Sequence, residues 1–176
     1  VGLALGTGVG GGIVLNGELW RGSRGMAAEL GHVTVERLGR LCGCGNRGCL
    51  EQYAGAVGIQ KSLAELGYVD LVGQPDASRI AADRARGGDM TLKQLFDEIG
   101  MYLGVALGTY LHTLDVQRFI IGGGLAYAAD LFLDQAIETM RSRTFKSMSR
   151  GVSVVVSELG EDAGIIGAAF AGTSRN

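Results

Sequence analysis

Apolar residues alternate with small ones at Val1, Leu3 and Leu5, the period of a strand with one buried face. From there to about Val35 the chain reads as short strands joined by glycine turns. Asn16-Gly17, set between Ile13-Val14-Leu15 and Leu19-Trp20, is a two-residue hairpin signal. The period then lengthens to that of a helix, over Leu50 to Leu66, Ser78 to Arg86 and Leu92 to Leu114, with loops expected at Gly73 to Asp76 and Gly87-Gly88. Arg118-Phe119-Ile120-Ile121 predicts a buried strand that ends at Gly122-Gly123-Gly124. A helix to about Arg143, a strand at Val152 to Val156 and a small-residue helix from Ala163 follow. Strands alternating with helices in this way predict an α/β layer.

The uncharged run Ile99 to Leu114 falls short of the roughly 20 residues a membrane span needs and contains Thr109 and His112, so a buried helix is expected. Gly100, Gly104 and Gly108 recur along it at every fourth position, a spacing that lets another element approach closely. With 176 residues, 47% of them apolar, the chain is long enough for one domain with a real core. Val1 stands where a methionine would start a chain, and the strand pattern is already under way, so the sequence reads as an excerpt of a longer one.

Charge narrows the partners. Sixteen basic and 18 acidic residues are interspersed for a net charge of -2, which offers no stripe to nucleic acid or to anionic lipid and leaves small molecules or proteins. About half of the 31 glycines precede residue 59, and the chemistry is expected there.

All three cysteines, Cys42, Cys44 and Cys49, fall within eight residues, and His32 precedes them in the pattern H-x9-C-x-C-x4-C. An odd number of cysteines cannot pair fully within one chain, whereas three thiolates and one imidazole form a closed tetrahedral set for structural Zn²⁺. Gly43, Gly45 and Gly48 give so crowded a set its backbone freedom. No secretory pattern heads the sequence, so reduced thiols and a cytoplasmic location are expected.

Gly6-Thr7-Gly8-Val9-Gly10-Gly11-Gly12 contains a formal G-x-G-x-x-G match, but a hairpin follows where a dinucleotide-binding helix would open, and no Lys-Ser/Thr follows for a Walker loop. A strand-turn-strand remains. Its N–H groups, with the Thr7 hydroxyl, can form a nest for an anion, or its glycines can simply serve a tight hairpin. Gly122 to Gly124 sits where strand meets helix, a junction suited either to a nucleotide or to close packing of the two elements.

Taken together, GTGVGGGIVLNGELWRGSRGMAAELGHVTV, CGCGNRGCLE and FIIGGGLA resemble the carboxy-terminal half of ROK proteins, which are sugar kinases and related sugar-responsive repressors. The resemblance covers nearly the whole chain. It implies the second lobe of the actin-like, ribonuclease-H-like ATPase fold, a zinc-binding loop held by His32, Cys42, Cys44 and Cys49, and homo-oligomeric assembly. It makes Glu29, His32 and Glu51 ligands of sugar hydroxyls. Gly6, Thr7, Gly8, Gly10 and Gly11 fall on a phosphate loop, and Gly122, Gly123 and Gly124 on a nucleotide-contacting junction. The implied reaction is transfer of the γ-phosphoryl group of ATP, with Mg²⁺, to a hexose, glucose first. The family's other phosphate loop, Asp-x-Gly-Gly-Thr, and the Asn-Asp pair that carries its general base occur nowhere in these residues, so the base is expected upstream of Val1. A sugar-responsive repressor, using this part to bind its effector, is the alternative.

Overall fold

The computed structural model describes residues 1–173. Strands β1 (Gly2–Leu5) and β2 (Val9–Gly12) form an antiparallel pair with Leu5 opposite Val9, leaving Gly6 to Gly8 as the connecting turn. A separate small hairpin of β3 (Val14–Leu15) and β4 (Glu18–Leu19) follows. Asn16 and Gly17 both take positive φ there, 53° and 83°, as a type I′ turn requires. The hairpin stands where the sequence put it, and a bond from Trp20 N to Ile13 O extends it.

Beyond the hairpin the expected strands do not continue. Residues 20–35 run as a loop with one 3-10 turn at Leu30–His32 and a single bridge from Thr34 to Cys49. That loop folds onto β2: a Cβ on Gly31 would strike the carbonyl oxygen of Val9, and one on Gly11 would lie 2.5 Å from Leu30. The glycines here serve close approach.

The helical stretch from Leu50 to Leu66 is two helices, α1 (Glu51–Ala54) and α2 (Ala56–Glu65), broken at Gly55. Gly55 is extended, and a Cβ there would lie 2.9–3.1 Å from Glu51 O, Gly8 Cα and Thr7 O. The first N–H groups of α2 have no partners within their own helix and turn to the loop after β1, Ala56 N donating to Gly6 O and Val57 N to Thr7 O.

After α3 (Ala77–Arg86) comes the long α4 (Met90–Leu114), capped by Asp89, whose carboxylate accepts from Thr91 N and Leu92 N. The chain then enters β5 (Arg118–Gly122), passes a 3-10 turn (Gly124–Ala128), and continues through α5 (Ala129–Ser142), α6 (Lys146–Ser149), β6 (Ser153–Val156) and α7 (Ala163–Thr173). β5 pairs parallel with β1 and with β6, giving the order β2-β1-β5-β6.

Leu3 and Leu5 of β1 and Phe119 and Ile121 of β5 join one core with Phe96, Ile99, Leu103 and Leu107 of α4 and Phe132 and Met140 of α5. Of Gly100, Gly104 and Gly108, the first two serve the close approach that their spacing suggested, and Gly108 does not. Gly100 faces Phe132 O and Gly104 faces Ala136 O and Thr139, in each case with room for hydrogen only. Among the described residues no helix is long and apolar enough to cross a membrane.

Candidate functional site

The residues from Arg40 to Leu50 form a knuckle. Cys42 N donates to Asn46 O and Gly45 N to Cys42 O, closing a turn in which Gly45 has φ 90°. Gly48 N donates to Arg40 O, and a Cβ on Gly48 would collide with Glu36 O. These bonds turn Cys42, Cys44 and Cys49 toward His32, and one atom from each of the four lies within 4.8 Å of the other three.

Cys42 Sγ is 3.5 Å from His32 Nδ1, and Cys44 Sγ is 3.6 Å from Cys49 Sγ. Metal–ligand bonds of about 2.3 Å to sulfur and about 2.0–2.1 Å to nitrogen, arranged as a tetrahedron, place the ligand atoms about 3.5–3.8 Å apart. The donor set therefore fits a small tetrahedral cation in chemistry, and these two pairs fit it in spacing. Cys42 and Cys49 are buried and Cys44 is exposed. Burial, reinforced by the adjacent Cys44 and Cys42 sulfurs, pushes the Cys49 thiol up to about 12, whereas the Asn46 backbone N–H foremost lowers that of Cys44. A coordinating cation removes the proton of such a thiol outright.

With Nδ1 on the sulfur side, the other ring nitrogen of His32, Nε2, lies 3.9 Å from Glu29 Oε2. Glu29 is exposed and immediately precedes the 3-10 turn that carries His32. Glu51, the first residue of α1, directs Oε2 to Val9 N at 3.1 Å and packs against Gly8 so closely that a Cβ there would collide with its carboxylate. Glu29, His32 and Glu51 line one open depression, floored by Gly6, Thr7, Gly8, Gly10 and Gly123. All three residues singled out by resemblance as sugar ligands are thus brought together.

A second depression shares Gly6 and Thr7 of the same loop and is lined further by Ala56, Pro75, Asp76, Ser78, Arg79, Gly124, Leu125 and Tyr127. Gly6 N donates to Gly8 O and Val9 N to Glu51, so part of the expected N–H nest is engaged within the fold. Among the described residues, the N–H groups of Thr7 and Gly8 have no acceptor. Gly123 has φ 85°, and its Cα lies against Leu5 so tightly that a Cβ would be 2.5 Å from Leu5 O. Packing alone accounts for a glycine at that position. Gly124, which has open space where a Cβ would stand, is the member of the triplet that borders the second depression, and Gly122 ends β5.

Sequence reading missed the part that α3 plays. Pro75 to Asp76 was legible only as a loop, and nothing in Ser78 or Arg79 announced a cleft wall. It missed the link between Glu51 and Val9 as well, for which the lone glycine at position 55 inside a helical pattern was the available sign.

A family model described as the ROK family matches residues 1–173. This chain belongs to the ROK family. It is 40% identical to a glucokinase of Thermotoga maritima over 179 residues, which cover 96% of this chain and 56% of that protein. A xylose repressor of Bacillus subtilis is 29% identical, over 94% of this chain and 41% of its own length. Among solved structures, a ROK family glucokinase from Streptomyces griseus in complex with glucose and AMPPNP superposes with a TM-score of 0.79 at 34% identity, covering 97% of this chain and 59% of that one. The chain spans about half the length of the glucokinase relatives it matches. Its fold is the mixed α/β, actin-like ATPase fold of the ROK proteins, and the cluster of His32 and the three cysteines agrees with their zinc-binding motif.

Proposed function

We propose that this chain is the carboxy-terminal lobe of an ATP-dependent hexose kinase, with glucose as its first substrate. The observation that carries this reading is the position of the Gly6–Gly8 loop, which borders both the depression of Glu29, His32 and Glu51 and the depression of Arg79 and Gly124. A sugar in the first and a nucleotide in the second would meet at that loop.

Glu29, His32 and Glu51 suit a neutral, hydroxyl-rich ligand. Carboxylates accept hydrogen bonds from hydroxyls, repel phosphate, and reject a deoxy sugar because a charged acceptor is left unpaired. His32, with Nδ1 on a Zn²⁺ ion shared with Cys42, Cys44 and Cys49, would keep Nε2 for the sugar side, its tautomer fixed by the metal. The zinc supplies structure there rather than reactivity. Thr7, Gly8 and their neighbours Gly6 and Gly10 would face the transferring phosphates of ATP and its Mg²⁺, and Gly124 would border the nucleotide, whereas Gly11 packs against Leu30, Gly123 against Leu5, and Gly122 ends β5.

Phosphoryl transfer needs the γ-phosphate aligned with the hydroxyl and a base within about 2.6–3.2 Å of its proton. The resemblance gives Glu29 and Glu51 the binding of hydroxyls rather than proton abstraction, and it implies that the base lies in the part of the protein upstream of this lobe. We place the protein in the cytoplasm as a homo-oligomer, where its thiols stay reduced.

Coupled ADP-release assays of the full-length protein with glucose, mannose, fructose and N-acetylhexosamines test the reading. Hexose-dependent turnover, with the highest kcat/KM for glucose, is expected. Sugar binding without turnover on any of them would replace the kinase by a sugar-responsive repressor.

A further inference from the structure

Gln52 is one of few polar side chains buried in the described part of the molecule, at 5% exposure, and the resemblance assigns it nothing. Its amide bridges two groups. Lys61 Nζ, on the exposed face of α2, lies 2.6 Å from Gln52 Oε1, and Gln52 Nε2 lies 3.6 Å from Sγ of Cys42, a residue buried at 3% exposure. The amide can be oriented only one way. A lysine ammonium has donors alone, so the oxygen must face Lys61, and the N–H must face the sulfur.

Three thiolates, one neutral imidazole and one Zn²⁺ sum to a single negative charge, and two of the three sulfurs are buried. Such a charge needs donors around it. For Cys42 the donor is a side chain whose carbonyl is polarised by a cation, so the two hydrogen bonds strengthen each other in a low-dielectric setting. The backbone oxygen of Gln52 is held in addition by Arg40 Nη1 at 2.8 Å, which ties the same residue to the start of the cysteine loop.

We infer that Gln52 and Lys61 act as an outer-sphere pair for the metal centre: Gln52 is a positioning residue that holds Cys42 as a metal thiolate, and Lys61 supplies the compensating charge through the amide. Lys61 is therefore part of the metal site, although its place on an exposed helix face reads as ordinary solvated surface. The inference rests on the zinc reading above.

The test uses the full-length, zinc-loaded protein and measures zinc transfer to a chromophoric chelator. Loss of an outer-sphere partner costs roughly 10–100-fold in metal affinity. Gln52→Leu, which keeps bulk and removes the donor, is expected to weaken zinc retention by that factor. Lys61→Met should weaken it by less, and Lys61→Arg should restore the parent value. In cobalt-substituted protein the thiolate-to-metal charge-transfer band should move to longer wavelength in Gln52→Leu and in Lys61→Met, because a thiolate stripped of its donor gives up electrons more readily. Lys61→Met changes an exposed side chain only, so it remains informative if Gln52→Leu fails to fold. A parent protein that purifies without zinc would remove the zinc reading itself. A zinc-loaded parent matched by folded Gln52→Leu or by Lys61→Met in both metal retention and the cobalt band would overturn this inference alone.

Discussion

Glu51 joins two functions in one carboxylate. One oxygen accepts the N–H of Val9 and so ties α1 to the turn between β1 and β2, while the residue also lines the depression assigned to the sugar. Gly8 is the counterpart of that arrangement, since only hydrogen fits between its Cα and the Glu51 carboxylate. Gly8→Ala would push the end of a flexible side chain rather than backbone. The expected outcome is a melting temperature close to the parent's with a raised KM for hexose, read from thermal denaturation and steady-state kinetics of the full-length protein. Glu29→Gln and Glu51→Gln should each lower kcat/KM for the sugar, since a hydrogen bond to a charged group contributes about 1.5–3 kcal/mol, or roughly tenfold to a hundredfold. Zinc content, measured by elemental analysis, should stay at the parent level in both. Unchanged sugar kinetics in both variants would return these residues to ordinary solvated surface. The cluster of His32 with Cys42, Cys44 and Cys49 was legible because four rare residues lay at close spacing. The bond from Val9 to Glu51 was not, because it joins positions 42 residues apart and depends on where the Gly55 break sets α1.

At the scale of elements, the contact between α4 and α5 separates glycines needed for space from one that is not. A Cβ on Gly104 would lie 2.5 Å from both Ala136 O and Thr139 Cβ, whereas on Gly108 the nearest atom would be Thr144 Cγ2 at an ordinary 3.4 Å. Gly104→Ala is expected to destabilise by about 1–3 kcal/mol through overpacking. Gly108→Ala should be neutral or stabilising, by up to about 1 kcal/mol from helix propensity. Urea denaturation of the pair measures the difference, and equal effects would contradict the packing described. The N-terminus of α4 carries a pH dependence. The Tyr68 hydroxyl first, and then the N–H groups of Leu92 and Thr91, hold Asp89 below the usual carboxylate range. A depressed folded value means that the stabilisation is fully present above about pH 4 and is lost as the pH falls through the folded value. Asp89→Ala should therefore flatten the acid limb of the stability curve. Most elements were legible from periodicity, including the hairpin at Asn16-Gly17 and α4 from Leu92 onward. The break at Gly55 was hidden because apolar period continues across it, and the absence of strand over residues 20–35 because glycines that permit close packing look the same in sequence as glycines that serve turns.

For the molecule as a whole, the cysteine loop, the depression assigned to the sugar and the glycine loop form one connected unit. His32 belongs to the first two, and Glu51 to the last two. Structural zinc of this kind contributes roughly 10–16 kcal/mol of binding free energy in small peptides, comparable with the about 5–15 kcal/mol stability of a whole domain. Stripping the metal with a chelator should therefore abolish sugar binding as well as lower the melting temperature, and restoring zinc should return both. Calorimetric titration with glucose before and after chelation checks this. Retained glucose affinity in metal-free protein would separate His32 from the sugar site. The overall α/β class was legible from the alternation of patterns, but the sharing of one loop by two depressions was not, because it arises from chain segments that meet only in the fold. The most direct measurement is transfer of labelled γ-phosphate from ATP by the full-length protein. The expected result is label in a hexose phosphate, with ADP formed in equal amount and only when glucose is present. Glucose bound at the Glu29, His32 and Glu51 depression with no label transferred would contradict the kinase reading.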